Sequence, residues 1–318
     1  MKFIHGLTGK WSDMFYWIYR VIGLDTILVS VVGLGMERED RLLAILCYPW
    51  KRIVIDNGAF TLLRNYKYSY VPEDPVSRLK LQLQLVAFST VKRFTVIVSD
   101  FIGNPSKSTD SYMKCFEYIK DLQSKGRWDW RIDQVILTVQ SPGKKNFFRS
   151  LFDVLDIASL YENETSLQVM IATPSALNET TGKLEFINGS FVETFVKLCR
   201  NRGFNTHVFG RCSDKFDLPE VIDIGHSGVD SFDTTRCHFL ARKIVVLIES
   251  TDLKEIQQIM KFQYLDYYLE FIKSRNVSTP DLYYISALMV AKWGSVIEKL
   301  DLTAKEWTIV KWRNGNGI

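Results

Sequence analysis

Short apolar runs rich in β-branched residues recur along the chain, separated by longer stretches with helical spacing. That alternation is expected of repeated βα units built around a parallel sheet. The runs are Thr26–Gly33, Arg52–Ile55, Phe94–Ser99, Gln134–Val139, Leu167–Ala172, Asn205–Phe209, Val229–Phe232 and Lys243–Ile248. Most are almost continuously apolar, as strands covered on both faces must be. Seven or eight such runs approach the number that closes a barrel, so the pattern predicts an α/β fold, a TIM (β/α)8 barrel, over residues 1–250. Between the runs, Ser190 and Glu193 form a capping box ahead of Phe191, Phe195 and Leu198 on one face, and Thr109–Gln123 carries Met113, Phe116, Ile119 and Leu122 at helical intervals. Leu79, Leu81, Leu83 and Leu85 alternate as a strand would, yet the segment 75–90 is read as helix because two parallel strands need a crossover there. Beyond residue 250 the pattern changes to two long helical stretches, Asp252–Ser274 and Asp281–Leu300, split by Ser278-Thr279-Pro280. Residues 251–318 are therefore expected to form a C-terminal helical appendage.

Composition narrows the class without naming an activity. The chain has 318 residues, 47% hydrophobic and 24% charged, which excludes a disordered or fibrous protein. The net charge of +4 has the right sign for a nucleic-acid partner but is too small to demand one. Cys47, Cys115, Cys199, Cys212 and Cys237 are odd in number and contain no C-x-x-C pair, so neither a disulfide framework nor a cysteine-rich zinc site is indicated. His5, His207, His226 and His238 show no metal-ligand spacing, and His207 is read as structural. Arg20 and Asp25 interrupt the apolar stretch Phe15–Gly35, which therefore suits neither a signal peptide nor a membrane span. A soluble, cytoplasmic protein is expected.

In a parallel barrel the reactive groups sit at the C-terminal ends of the strands. Here those ends are rich in aspartate: Asp56-Asn57-Gly58-Ala59-Phe60, Ser99-Asp100, and Asp230-Ser231-Phe232-Asp233-Thr234, with Gln140 closing a fourth run. Aspartate also favours turns for local hydrogen bonding, and any one of these could be a strand-end cap. Several carboxylates at matching strand ends, with Gly58 allowing close ligand approach, point instead to a site where two carboxylates of separated pKa share acid, base or nucleophile duties.

These segments resemble the tRNA-guanine transglycosylase superfamily, TIM barrels that exchange guanine in a nucleic acid for a 7-deazaguanine base. Ile55-Asp56-Asn57-Gly58-Ala59-Phe60-Thr61 is similar to the family's Asp-Ser-Gly-Gly-Phe-Gln segment. His207-Val208-Phe209-Gly210 resembles its aliphatic-glycine strand, and Gly228-Val229-Asp230-Ser231-Phe232-Asp233 its Gly-x-Asp-x-Phe-Asp segment. The resemblance, spanning about residues 26–240, implies Asp233 as a nucleophile on C1′ and Asp56 as general acid/base. It implies Asp100 and Gln140 on the purine edge, Phe60 and Phe209 stacked on its faces, and Gly58 and Gly210 beside the bound base. Lys144 and Lys145, with Arg236, would hold the phosphate backbone.

The family's Cys-x-Cys-x-x-Cys zinc site is absent, since no cysteine follows Cys237, so no zinc and no other cofactor is expected. Ala172-Thr173-Pro174-Ser175 replaces the family's glycine pair after the fifth strand. The expected partners are DNA, favoured over tRNA, and a 7-deazaguanine base, with no membrane; homo- or hetero-oligomer formation stays open. The same exchange on tRNA, and a catalytically inactive nucleic-acid-binding subunit, are the alternatives.

Overall fold

The structure is a computed structural model that describes residues 2–7, 26–31, 46–59, 72–141, 146–173, 176–177, 184–185, 189–209 and 227–234. In chain order the elements are β1 (Lys2–Leu7), β2 (Thr26–Ser30), β3 (Arg52–Asp56), α1 (Pro75–Phe88), β4 (Phe94–Ile97), α2 (Pro105–Ser124) and β5 (Ile132–Thr138). There follow α3 (Phe147–Glu164), β6 (Gln168–Thr173), the short antiparallel pair β7 (Ala176–Leu177) and β8 (Leu184–Glu185), α4 (Gly189–Asn201), β9 (Asn205–Val208) and β10 (Ser231–Thr234).

Eight strands close a parallel barrel in the order β1-β10-β9-β6-β5-β4-β3-β2. Followed across the ladders, Ile55 pairs with Val96, Val96 with Val135, and Val135 lies opposite Val169. Carrying that register on through β9, β10, β1 and β2 returns to β3 eight residues from Ile55. A stagger of about eight residues for eight strands is the geometry of TIM-type barrels.

One expectation about the strands needs correction. The run Lys243–Ile248 lies outside the described residues, and the eighth place in the barrel belongs to β1, which pairs with β10 on one side and β2 on the other. A six-residue segment containing Lys2, His5 and Gly6 has too little apolar character to announce itself as a buried strand. The C-terminal stretches Asp252–Ser274 and Asp281–Leu300 also lie outside the described residues. Ser190 falls in the first turn of α4, which begins at Gly189.

The strands carry apolar side chains on both faces because each face meets a separate core. Outside, the barrel packs against the helices through a large cluster that includes Ile53, Ile55, Val96, Val135 and Val169, with Leu79, Phe116 and Leu155 from α1, α2 and α3. Inside, Val54, Ile97, Ile136 and Ala172 pack with Leu28, Met170 and Phe209. Below this layer Arg52 donates to Thr95 Oγ1 and bidentately to Asp133, at 2.7 and 2.8 Å, and Thr95 Oγ1 donates to Gln134 Oε1. His207 is buried, with Nδ1 2.8 Å from Ser231 Oγ and its ring edge-on to Phe209.

Helix α1 settles the ambiguous leucine alternation. Asp74 caps it by accepting from Ser77 N at 2.7 Å, and Pro75 occupies the first turn, where its missing N–H costs nothing. The buried positions are Pro75, Arg78, Leu79, Gln82 and Val86, a helical stripe that includes two polar residues. Gln82 Nε2 donates to the carbonyls of Ile55 and Ile97, each at 2.9 Å, so the helix is bonded to the upper ends of β3 and β4. Replacing Gln82 by Leu should lower stability by about 1–3 kcal/mol through the two orphaned carbonyls. Denaturant unfolding checks this, and an unchanged midpoint would show that the bonds contribute nothing net.

Candidate active site at the carboxyl ends of the strands

Interior and exterior positions alternate along each strand, which settles what reaches the mouth of the barrel. Val54 lies in the interior cluster, so Asp56, two residues on, stands on the same face at the end of β3, and it is half-buried. The chain then turns sharply. Gly58 adopts φ 78°, its N–H reaches Asp56 Oδ2 at 3.3 Å, and Ala59 N donates to Asn57 Oδ1 at 2.8 Å. A residue with a Cβ would be strained at that φ.

Asn57 is fully buried and ties this turn to the next strand end. Its Nδ2 donates to Val98 O and to Asp100 Oδ1, both at 2.9 Å. Gln140, beyond β5, donates from Nε2 to Asp100 Oδ2 and accepts Gly103 N on Oε1 at 3.1 Å. Arg78 reaches in from α1, donating to Asp100 O at 2.9 Å and to Asn57 Oδ1 at 3.4 Å, with its guanidinium carbon 4.7 Å from the centre of the Phe101 ring. Burial pushes the Asp100 carboxyl above its ordinary value, against the opposing pull of Asn57, Gln140 and Arg78. Burial likewise pulls Arg78 below its ordinary value, with the nearby Asp100 charge opposing. Cys115, close by on α2, is driven up to about 12 by burial and is no thiolate nucleophile at neutral pH. Beside this network a cleft of about 310 Å³ opens between the first turns of α1 and α2, lined by Asp74, Phe101, Lys107, Asp110 and Lys114 among others.

The structure therefore gathers Asp56, Gly58, Asp100 and Gln140 at neighbouring strand ends. Phe209 sits across the barrel, packed in the interior layer against His207. Asp233 is placed by its backbone, in β10 opposite Ile4 of β1 and two residues beyond Ser231. Phe60, Lys144, Lys145, Gly210 and Arg236 lie outside the described residues. Among the described residues no group of three or more His, Cys, Asp or Glu side chains could hold a metal ion, and no helix is long and apolar enough to cross a membrane. Sequence reasoning missed Asn57, Arg78 and Gln82. The one available signal was that Arg78 and Gln82 fall one turn apart on the face that Leu79 and Val86 mark as buried.

No protein-family model matches the chain, and no curated protein matches it. Among solved structures it is similar to fructose-bisphosphate aldolase from Campylobacter jejuni, with 11% identity over 94% of this chain and 90% of that one and a TM-score of 0.49. It is also similar to 2,3-dimethylmalate lyase, a member of the PEP mutase/isocitrate lyase superfamily, with 11% identity over 93% of each chain and a TM-score of 0.47. Likeness at this level assigns no activity to the chain.

The transglycosylase expectation is corrected at this point. Neither sequence comparison returns that family. In addition, Asp100 and Gln140, expected to read a purine edge, are 4% and 2% exposed and bonded to each other. Exchange of guanine for a 7-deazaguanine in DNA or tRNA is not carried forward.

The raised Asp100 value has a defined consequence for stability. The native state keeps this proton to a higher pH than the unfolded chain, so it binds more protons, and stability falls as pH rises from the unfolded value of 3.8 through the folded value. Asp100→Asn lacks this titration. Its stability deficit relative to wild type, from urea unfolding between roughly pH 4 and pH 8, should shrink with rising pH. A deficit independent of pH would show that Asp100 titrates as it does in the unfolded chain.

Proposed function

We propose that this chain is a TIM-barrel enzyme that performs proton-transfer chemistry of the lyase type on a small polar substrate at the carboxyl-terminal mouth of the barrel. The observation that carries the reading is the contrast between two carboxylates on consecutive strands. Asp100 is buried with both oxygens occupied by amide donors, whereas Asp56 is half-buried and stands on the inward face at the mouth. A carboxylate with both oxygens taken can position a turn but does not exchange protons with a substrate, which leaves Asp56 as the carboxylate able to do so.

Elimination, or bond cleavage beside a carbonyl, needs one group to take a proton and a second to protonate the oxygen that gains charge. Asp56 is assigned the first task. Asp233, in β10 next to β1, is assigned the second. Asp100 stays out of contact with substrate and organises the turn that presents Asp56.

The test begins without a known substrate. Protein is incubated with a small-metabolite extract, and untargeted mass spectrometry finds what wild type consumes. Asp56→Asn should slow that conversion by about 100-fold or more, the usual contribution of a positioned acid–base group. Conversion at the wild-type rate by Asp56→Asn would remove Asp56 from the chemistry, and consumption of no small molecule would reject the enzyme reading.

A further inference from the structure

Arg78 and Asp100 are the two formally charged side chains that are buried among the described residues, and they lie beside each other. Isolated buried charges are costly, so opposite charges buried together compensate one another. Their contact is indirect: the guanidinium bonds the main-chain oxygen of Asp100, and the Asn57 amide stands between guanidinium and carboxylate.

The orientation of both amides is fixed by backbone donors. Asn57 Oδ1 must be the oxygen because Ala59 N donates to it, and Gln140 Oε1 must be the oxygen because Gly103 N donates to it. Each amide therefore presents its NH2 to Asp100, one to each carboxylate oxygen. A group that accepts on both oxygens has no partner left for a proton, so these bonds favour the carboxylate and oppose the burial that favours the acid.

We propose that Arg78 is the positioning residue of the site: its charge, relayed through the Asn57 amide, favours the ionised form of Asp100 and locks the Asp56-Asn57-Gly58 turn in place. The rest of the guanidinium fits that role. Nε and Nη2 make no hydrogen bond, so the side chain has given up solvation for the contacts of Nη1 and for the face of Phe101. The other titratable groups in the neighbourhood are Asp56 on β3 and, on α2, Cys115 and Tyr112, whose thiol and phenol burial pushes above their ordinary values and keeps neutral.

The proposal rests on the reading of Asp56 as the working carboxylate only for its functional meaning, and its test needs no substrate. Arg78→Met removes both charge and fork, while Arg78→Lys keeps charge alone. The Asp100 carboxyl is followed by carbon NMR against pH and assigned with Asp100→Asn; circular dichroism reports the fold. The midpoint should rise by about 1–3 pH units in Arg78→Met, as loss of a nearby opposite charge implies, and stay near wild type in Arg78→Lys. In both variants amide exchange at Gly58 and Ala59 should quicken at least about tenfold relative to amides of α3, because the turn loses its anchor. An unmoved midpoint in folded Arg78→Met, or unmoved exchange in Arg78→Lys, overturns the proposal; if Arg78→Met does not fold, exchange in Arg78→Lys decides. Wild-type turnover by Asp56→Asn would sink the assignment of Asp56 and leave these results standing.

Discussion

Burying Arg78 and Asp100 side by side is the constraint around which the mouth of the barrel is built. Neither charge can leave water alone, and neither can touch solvent once α1 is packed on the strands. The surrounding polar groups follow from that requirement. Asn57 faces its amide nitrogen to the carboxylate and its oxygen to the guanidinium, Gln140 completes the second carboxylate oxygen, and Gln82, one turn along the helix, bonds the strand carbonyls beneath. Loops after β3, β4 and β5 are thereby joined into one unit. Such a network is stiff because removing any member orphans another.

The barrel sets the level at which this network stands. Its stagger brings inward-facing positions from different strands to one level, and the apolar layer of Val54, Ile97, Ile136 and Ala172 seals the interior beneath. Asp56 stands directly above that layer. A carboxylate at the edge of a sealed, low-dielectric interior is more responsive to a bound ligand's charge than one on an open surface. At the opposite end, Arg52 and Asp133 form a bidentate pair.

Much of the scaffold was legible along the chain. The runs that became β2, β3, β4, β5, β6 and β9 were visible because strands covered on both faces must be apolar throughout, and the aspartates after them because strand ends are where a barrel keeps its reactive groups. What misled was local similarity. A few residues around Asp56 and Asp233 resemble a family motif, but aspartate followed by a glycine turn is also what any parallel strand uses to finish. Motif likeness could not tell that Asp100 and Gln140 would be bonded to each other and buried.

The sequence by itself determined the alternation of strand and helix, the apolar faces, and the placing of carboxylates at strand ends, since each depends on residues near one another in the chain. Tertiary structure alone decided that β1, short and mixed in composition, closes the barrel between β10 and β2, because that place is set by partners more than 20 residues away or at the far end of the described chain. It decided also that Arg78 and Gln82 face inward. A helix stripe is read as core from its apolar members, and a buried arginine becomes tolerable only when a carboxylate from another element is waiting beside it, which no local pattern records.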